Sequence, residues 1–550
     1  MKSYDMTKAG RWGVMVLFTF HLSFFTSCSL DEQPRDQIPE EEAYQDADDL
    51  FRNCVATLYN YIGGNSDGQG LQGTCRGVYD LQTLGGDELM IPTRGTDWYD
   101  GGLWQAMYRH SWSAGHDLMK NAWLYLYKVI ALSNRSLEQL EAHRHLLSSD
   151  EWQRYTAEVR ALRAIYYWYL TDLFGRVPLV TSTDVSMNEV RQSERSEVFR
   201  FIVGELLDVM PWLSYESSVH DGDYYGRVTR PVATFAMAKL MLNSEVYVDD
   251  DWTDGVRPDG RNLRFDIDGL ERNAWEACIY YCDAIEAMGY QLEEAYEDNF
   301  VVYNQDSREN IWTIPMDKIL YSNQQQTLTR SMHYRQAAAF GYTGENGTCA
   351  TRKTLETYGY GAPDYDLRFI MNFYYEEIYD LEGNPILDRT GQTLTYAPWE
   401  VEMDLSGSPY VETAGARLRK YEVDKNALKD GKLMDNDIVL FRFADVLLMR
   451  AEARLRNGED GQADLDTVRL RVGETMRPLT LETLLDERLM ELCFEGWRRQ
   501  DLIRFGQYES LFQGDEWYDK VDERDGHTTV YPIPADIMAL NTMLEQSPGY

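Results

Sequence analysis

The sequence is poor in the residues from which many enzyme centres are built. Eight histidines are spread over 550 residues, and there is no HEXXH pair, no Gly-x-Ser-x-Gly elbow and no phosphate-binding glycine loop. These absences exclude the common zinc-hydrolase, serine-hydrolase and P-loop readings. Basic residues are in deficit: 53 Lys and Arg stand against 91 Asp and Glu, a formal charge of −38, with no dense basic cluster. A nucleic acid, itself a polyanion, would find no electrostatic footing. The seven cysteines (Cys28, Cys54, Cys75, Cys278, Cys282, Cys349 and Cys493) have no spacing that reads as a disulfide framework. Cys278 and Cys282 stand four apart, as a metal pair on a helix would. No Cys/His set accompanies them, so burial as small hydrophobes is the plainer reading. Long apolar runs are also missing. The one at Trp12–Phe25 is short for a membrane span and quickly gives way to polar residues.

That run has the layout of a signal peptide over residues 1–27, with Lys2, Lys8 and Arg11 before it and Phe25-Thr26-Ser27-Cys28 behind it. Small residues before a cysteine resemble a lipobox, with Phe25 in place of the usual Leu, and make Cys28 the candidate lipidation site. An ordinary cleavable signal with an incidental cysteine is the alternative. Residues 28–42 are acidic, proline-containing and poor in apolar residues, which reads as a tether.

What the chain has is helical periodicity and aromatic rings. Hydrophobic residues make up 44%, enough for a sizeable core, and 38 Tyr and 14 Trp, most of them expected in that core, are supply enough for a surface aromatic platform as well. Apolar residues recur at three- and four-residue steps from Ala43, over Trp123–Leu140, Trp152–Phe174, Arg195–Leu213, Thr229–Tyr247 and Trp275–Met288. The pattern returns at 436–506. Leu440, Phe443, Ala444, Leu447, Leu448 and Ala451 share a face up to a stop at Gly458. A short helix centres on Leu465, and a third runs from the N-cap Thr480 to near Gly506. The expected fold is mainly α, with about four tetratricopeptide-like helical hairpins forming a scaffold. Between residues 291 and 435 the periodicity fades and Gly, Asn, Tyr and Thr rise. This reads as a long loop-rich insertion carrying short β-hairpins, for instance at Asn310–Pro315 and Pro385–Thr395.

Several stretches together resemble the SusD/RagB family of surface glycan-binding lipoproteins. They are EVRALRAIYYWYLTDLFGRVPLV (158–180), GRVTRPVATFAMAKLMLNSEVY (226–247), FRFADVLLMRAEA (441–453), DERLMELCFEGWRRQDLIRFG (486–506), YPIP (531–534) and the terminal NTMLEQSPGY. Asp466, Thr542 and Ser547 depart from the family's usual Asn. The resemblance implies one compact SusD-like domain made of a helical part (43–290), a variable ligand-binding region (291–435) and a C-terminal helical part (436–550). It further implies a protein anchored by lipid to the outer face of the outer membrane. Such a protein captures oligosaccharide or polysaccharide and delivers it to a SusC-like TonB-dependent transporter, without catalysis. A RagB-like role in capturing peptide or glycopeptide, with the same transporter partner, is the alternative. A glycoside hydrolase ranks behind both, because no motif supplies two carboxylates at a defined separation.

The best stretch for ligand contact is 85–112, GGDELMIPTRGTDWYDGGLWQAMYRHSW, where aromatic rings alternate with Gly, Asp and Arg. Sugar rings present faces of C–H bonds on which an indole or phenol can lie, while carboxylate, guanidinium and amide groups hold hydroxyls. The candidates are Trp98, Tyr99, Trp104, Arg94 and Asp97, joined from the insertion by Tyr321, Asn323, Tyr334 and Tyr342. Trp104, Tyr108 and Trp112 step by four, which also fits a buried helix face. Asp87-Glu88 reads as capping or salt bridging rather than catalysis. Glu487, Glu491 and Glu495, with Arg488, Arg498, Arg499, Asp501 and Arg504, read as ion pairs locking helices together. No cofactor is expected. At Asp249–Gly255 a structural calcium ion is weighed against a solvated acidic loop, and the poor match to an EF-hand favours the loop.

Overall fold

The computed structural model describes residues 43–509 and 525–550. The signal peptide, the tether and Cys28 lie outside the described residues. Tyr44–Tyr550 form one unit.

The scaffold is a chain of packed helices: α1 (Asp117–Ala142), α2 (Ser149–Phe174), α3 (Arg195–Val209), α4 (Arg230–Leu242), α5 (Ala274–Ala287), α6 (Phe443–Asn457), α7 (Gln462–Arg471), α8 (Leu481–Leu492) and α9 (Arg498–Arg504). Local sequence sets their ends. Ser148 and Glu151 close a capping box on α2, and Asn273 and Glu276 do the same on α5. Pro231 sits just inside α4, where its missing N–H costs nothing. Gly458, at φ +83°, ends α6 in the left-handed conformation that a side chain would resist. Every residue of α4 from Pro231 to Leu242 is buried, so this helix runs through the interior rather than along a face.

Helices pair largely in sequence order, as α1 does on α2 and α2 on α3. α5 packs on α4 and on α6, which follows it only after the whole insertion. One hairpin of the mainly α scaffold is thus closed across residues 291–435, and the insertion is in effect its loop.

The structure corrects three expectations. Leu440 is not helical: Ile438–Arg442 is a strand (β2) paired antiparallel with Asn310–Ile314 (β1), and α6 begins at Phe443. Asn310–Pro315 therefore makes no local hairpin, and its pairing partner lies more than a hundred residues away. Both strands are buried along their whole length, so alternation could not reveal their partner. Local pairing does occur between Glu376–Glu377 and Thr395–Tyr396. The helix expected to run from Thr480 to Gly506 is two helices. The chain breaks over 493–497, with Phe494 at φ +70° and Gly496 at φ +76°. The break turns the Phe494 backbone towards the amino-terminal part: its N–H donates to Glu88, and its carbonyl accepts from Gln72 and Tyr79.

The charges of the last helices are buried and pair mainly between elements. Glu491 Oε1 accepts from Arg442 at 2.6 Å, Oε2 accepts from Arg368 at 3.0 Å, and Arg471 makes a further contact. Arg442 also bonds Glu309 and Glu495, both at 2.8 Å. Arg498 grips Asp87 with two bonds of 2.6 and 2.8 Å, and Arg499 donates to Asp172 at 2.9 Å. Arg504 and Arg488 converge on Asp501. Burial alone would raise the Glu491 carboxyl. Arg471, Arg442 and Arg368 outweigh it and hold the group well below the usual carboxylate range.

Removing one partner strands the others in a medium of low polarity, which costs about 3–5 kcal/mol. Glu491→Gln should therefore lower the urea midpoint clearly; a midpoint within error of wild type would show that the junction contributes little. Glu491 and Asp501 both have depressed values in the fold. Their contribution is thus fully present above their unfolded values of about 4 and is lost as pH falls below that. The midpoint should drop steeply below pH ~4 in wild type and less steeply in Glu491→Gln, which equal slopes would contradict.

Candidate functional site

A pocket of about 490 Å³ opens where the amino-terminal loop meets the insertion. Its walls are Arg94, Gly95, Thr96 and Asp97 on one side and Tyr334, Asn346, Arg389, Val411 and Glu412 on the other. Two features fix the loop. Arg94 and Asp97 exchange backbone hydrogen bonds of 2.9 and 3.1 Å across a two-residue turn, with Gly95 at φ +68°. Thr93 then joins the 403–405 segment, its N–H donating to Met403 and its carbonyl accepting from Leu405, each at 2.9 Å.

From the turn the chain passes through a strained stretch. Trp98 has φ +62° and Asp100 φ +44°, before Gly101 and Gly102, which also have positive φ. Side chains in that region persist only where surroundings hold them. Here the Trp98 Nε1–H donates to the Glu345 carbonyl at 2.8 Å, and its ring lies over Gly347. A Cβ at Gly347 would sit 2.6 Å from the indole, so only glycine allows the approach. Behind it, Asp100 accepts from Arg76 at 2.6 Å and from the Trp104 indole at 2.9 Å. The outcome is a half-buried Trp98 with Tyr99 beside it, 53% exposed.

The candidate residues thus fall into three groups. Arg94, Asp97 and Tyr334 meet in the pocket, the Tyr334 hydroxyl donating to Asp97 at 2.8 Å, with Trp98 and Tyr99 next in the chain. Trp104 and Tyr342 are buried. Trp104 braces Trp98 at a ring separation of 5.9 Å, and the Tyr342 hydroxyl is spent on the Asp424 carbonyl at 3.0 Å. Tyr321 and Asn323 lie elsewhere, Asn323 against Gly63 and Tyr321 with its N–H donating to the Asp317 carbonyl at 2.9 Å. Asn323 Nδ2 donates to the Pro315 carbonyl at 3.0 Å, and a Cβ on Gly63 would collide with its side chain. Among the described residues no hydrogen bond ties either to the pocket.

Sequence reasoning missed Asn346, Gly347, Arg389 and Glu412. No motif marks them; they arrive because strand and turn pairings bring three separate parts of the insertion against one turn. Electrostatics in the pocket are unusual for this chain. Arg94 is buried and reaches only carbonyls, Val411 at 3.0 Å and Ala414 at 2.9 Å. Burial, then the neighbouring Arg417, lowers its value to about 9. His333 faces Glu412 at 3.3 Å, yet burial dominates and lowers it to about 4, so it is neutral at ordinary pH.

Elsewhere, Asp87 and Glu88 are not placed for acid–base chemistry. Asp87 is held by Arg498, and burial raises Glu88 to about 7 while it accepts the Phe494 N–H. In the acidic 249–254 loop, Asp250 binds the N–H and hydroxyl of Ser196, both at 2.8 Å, and Asp251 and Asp254 accept from their own loop. Among the described residues no cluster of three or more His, Cys, Asp or Glu forms a metal site. The six described cysteines are all buried and unpaired by disulfide.

Gly347→Ala tests how Trp98 is held. The added methyl should expel the indole and cost about 1–3 kcal/mol. The Trp98 Nε1–H resonance, identified by its loss in Trp98→Phe, should move; an unmoved resonance would refute the contact.

Comparison with known proteins adds the following. Residues 308–550 match the model of the SusD family, and residues 91–242 match a family described as starch-binding, associating with the outer membrane. The chain is 25% identical over 496 residues to the starch-binding protein SusD of Bacteroides thetaiotaomicron, covering 80% of each. It is 25% identical over 588 residues to the SusD-like protein P25 of Formosa agariphila, covering 97% of this chain and 98% of that protein. Among solved structures, surface glycan-binding protein A from Bacteroides thetaiotaomicron, in complex with laminarihexaose, superposes with a TM-score of 0.70 at 19% identity, over 91% of this chain and 99% of that one. At that identity the likeness shows the fold.

Proposed function

This chain belongs to the SusD family, and from that premise we propose that it is a glycan-binding protein of the outer membrane. It captures oligosaccharide or polysaccharide at the cell surface and passes it to a SusC-like TonB-dependent transporter. Anchoring through a lipid on Cys28 belongs to the same proposal and rests on the lipobox-like FTSC sequence.

The observation that carries the reading is the Arg94–Asp97–Trp98–Tyr99 turn facing Tyr334. It places hydroxyl-binding groups at one open pocket, with a half-buried indole and an exposed phenol next in the chain. An aromatic face covers the C–H side of a sugar ring, while Asp97, Asn346 and Arg389 can bond its hydroxyls. Such a site binds without reacting. Its two carboxylates, Asp97 and Glu412, are engaged by the Tyr334 hydroxyl and by Arg389. The open pocket covers only part of a ligand, and hydroxyls must lose water to bind, so single-site affinity is expected to be modest. Tethering at a membrane and repeated sites along a polymer raise the effective affinity.

Native affinity electrophoresis against a panel of plant, host and microbial polysaccharides tests the proposal. Wild type should be retarded in at least one gel. Trp98→Ala should weaken retardation roughly ten-fold or more, as loss of a central aromatic contact does. Retardation that survives in full would move the site towards Tyr321 and Asn323. Absence of retardation in every gel would overturn the glycan reading in favour of peptide or glycopeptide.

A further inference from the structure

Buried arginines in this chain have carboxylate partners almost everywhere. Arg330, Arg368, Arg442, Arg469, Arg471, Arg488, Arg498, Arg499 and Arg504 each lie within 4 Å of an Asp or Glu oxygen. The pocket breaks this rule. Arg94 is 5% exposed and bonds three backbone carbonyls, those of Val411, Ala414 and Gly347. Arg417, fully buried directly behind the wall, donates to Asn346 Oδ1 at 3.0 Å and to the Glu412 carbonyl at 3.1 Å. Neither forms an ion pair among the described residues. Arg94 Nε has no acceptor there either, and Arg417 lies 5.0 Å from the centre of the Tyr396 ring, which carries no charge to balance it. Outside this pocket Arg195 is a similar exception, lying against the rings of Tyr247 and Trp252.

A third guanidinium stands at the rim. Arg389 is largely exposed and reaches Glu412 at 2.9 Å. The charges facing the cavity and its wall are therefore Arg94, Arg417 and Arg389 against Asp97 and Glu412, with His333 neutral. The balance is positive, in a protein whose formal charge is −38. At physiological salt, exposed charges farther than about 8 Å are screened, so the local set governs what binds. Buried guanidiniums are screened least, and their field reaches the cavity through protein rather than water.

Resting on the glycan-binding reading above, we propose that this pocket selects acidic glycans, with a uronate carboxylate or sulfate ester seated between Arg389 and the Arg94 side of the turn. The anion supplies the counter-charge that Arg94 and Arg417 lack. Asp97 and Tyr334 then face the hydroxyls of the same or the adjoining sugar. This arrangement also resolves a contradiction: an acidic protein can hold an acidic polymer if the contact is made at a local cationic floor.

The test uses the purified full-length protein in titration calorimetry with matched pairs. One pair is an oligogalacturonate and its carboxyl-reduced form; the other is a sulfated galactan oligosaccharide and its desulfated form. The pair that binds identifies the anion. The acidic member should bind at least about ten-fold more tightly than its neutral counterpart, as charged hydrogen bonds do. Arg389→Gln should weaken acidic binding roughly three- to five-fold more than it weakens neutral binding, and Glu412→Gln should shift the ratio of acidic to neutral affinity upward by a similar factor. Raising salt should weaken the acidic complex alone. Equal affinity within each pair, with both variants silent, would overturn the acidic preference and leave glycan binding standing. If acidic and neutral forms alike fail to bind, here and across the polysaccharide gels, the glycan-binding reading falls and this inference falls with it.

Discussion

Glu491 is the meeting point of three segments far apart in sequence. Arg368 reaches it from the insertion, Arg442 from the end of β2 and Arg471 from α7, and all four groups are buried. A carboxylate taken out of water is costly, and so is each guanidinium; none is tolerable there without the others. The pairing is therefore a constraint on topology as well as a source of stability. It forces the insertion, which opens as a loop between α5 and α6, to return and pack onto the final helices. The same logic repeats at the amino-terminal side. Arg498 must find Asp87, and Arg499 must find Asp172 on α2. Asp87 lies seven residues before Arg94, so the ion pair that locks α9 also anchors the stem of the loop that carries the pocket.

This anchoring explains how a site made of turns can be well defined. The 94–102 stretch has little regular structure and includes strained residues, yet it is clamped at both ends. Thr93 is paired with the 403–405 segment, Asp100 is held by Arg76 and Trp104, and between them Trp98 is fixed by Glu345 and Gly347. The clamps belong to both the amino-terminal part and the insertion. Pocket shape thus depends on the two being docked, and docking depends on the buried ion pairs.

Much of this was legible in the sequence, and what was not has identifiable causes. Helices announce themselves through three- and four-residue spacing, and one through its cap Thr480, so the scaffold could be read. β1 and β2 could not be paired, because strands buried on both faces carry no alternation and their partners lie far apart. The break at Phe494 was hidden because Met490, Phe494 and Trp497 keep four- and three-residue steps across it; tertiary bonds to Glu88, Gln72 and Tyr79 hold the chain bent there. The charged face of α8 was recognised as ion pairing that locks helices together, but not which elements supply the partners: Arg368, Arg442, Arg469 and Arg471 for the carboxylates, and Asp445 and Asp501 for Arg488. In the site, the Arg/Asp/Trp-rich turn was visible as composition. Tyr342 looked equivalent to Tyr334, and nothing local distinguishes a phenol covered by Gly431 from one at a pocket edge. Arg389 and Glu412 carried no signal at all, because their role arises from where the turns meet.

The distribution of charge then separates scaffold from site. Within the scaffold, guanidinium and carboxylate are matched so closely that the net field cancels, and the large negative charge of the chain is carried mainly by exposed carboxylates. At the pocket the matching stops: Arg94 is capped by carbonyls, and Arg417 by carbonyls and the Tyr396 ring, which stabilise a cation without neutralising it. A fold that pairs its buried arginines with carboxylates so consistently has no evident stability reason to leave two together unpaired, since each is more costly for the presence of the other. The cost makes sense at a place where a negative group arrives from outside, and Tyr334 at the opening, with Trp98 and Tyr99 next along the turn, offers rings for the sugar that carries that group.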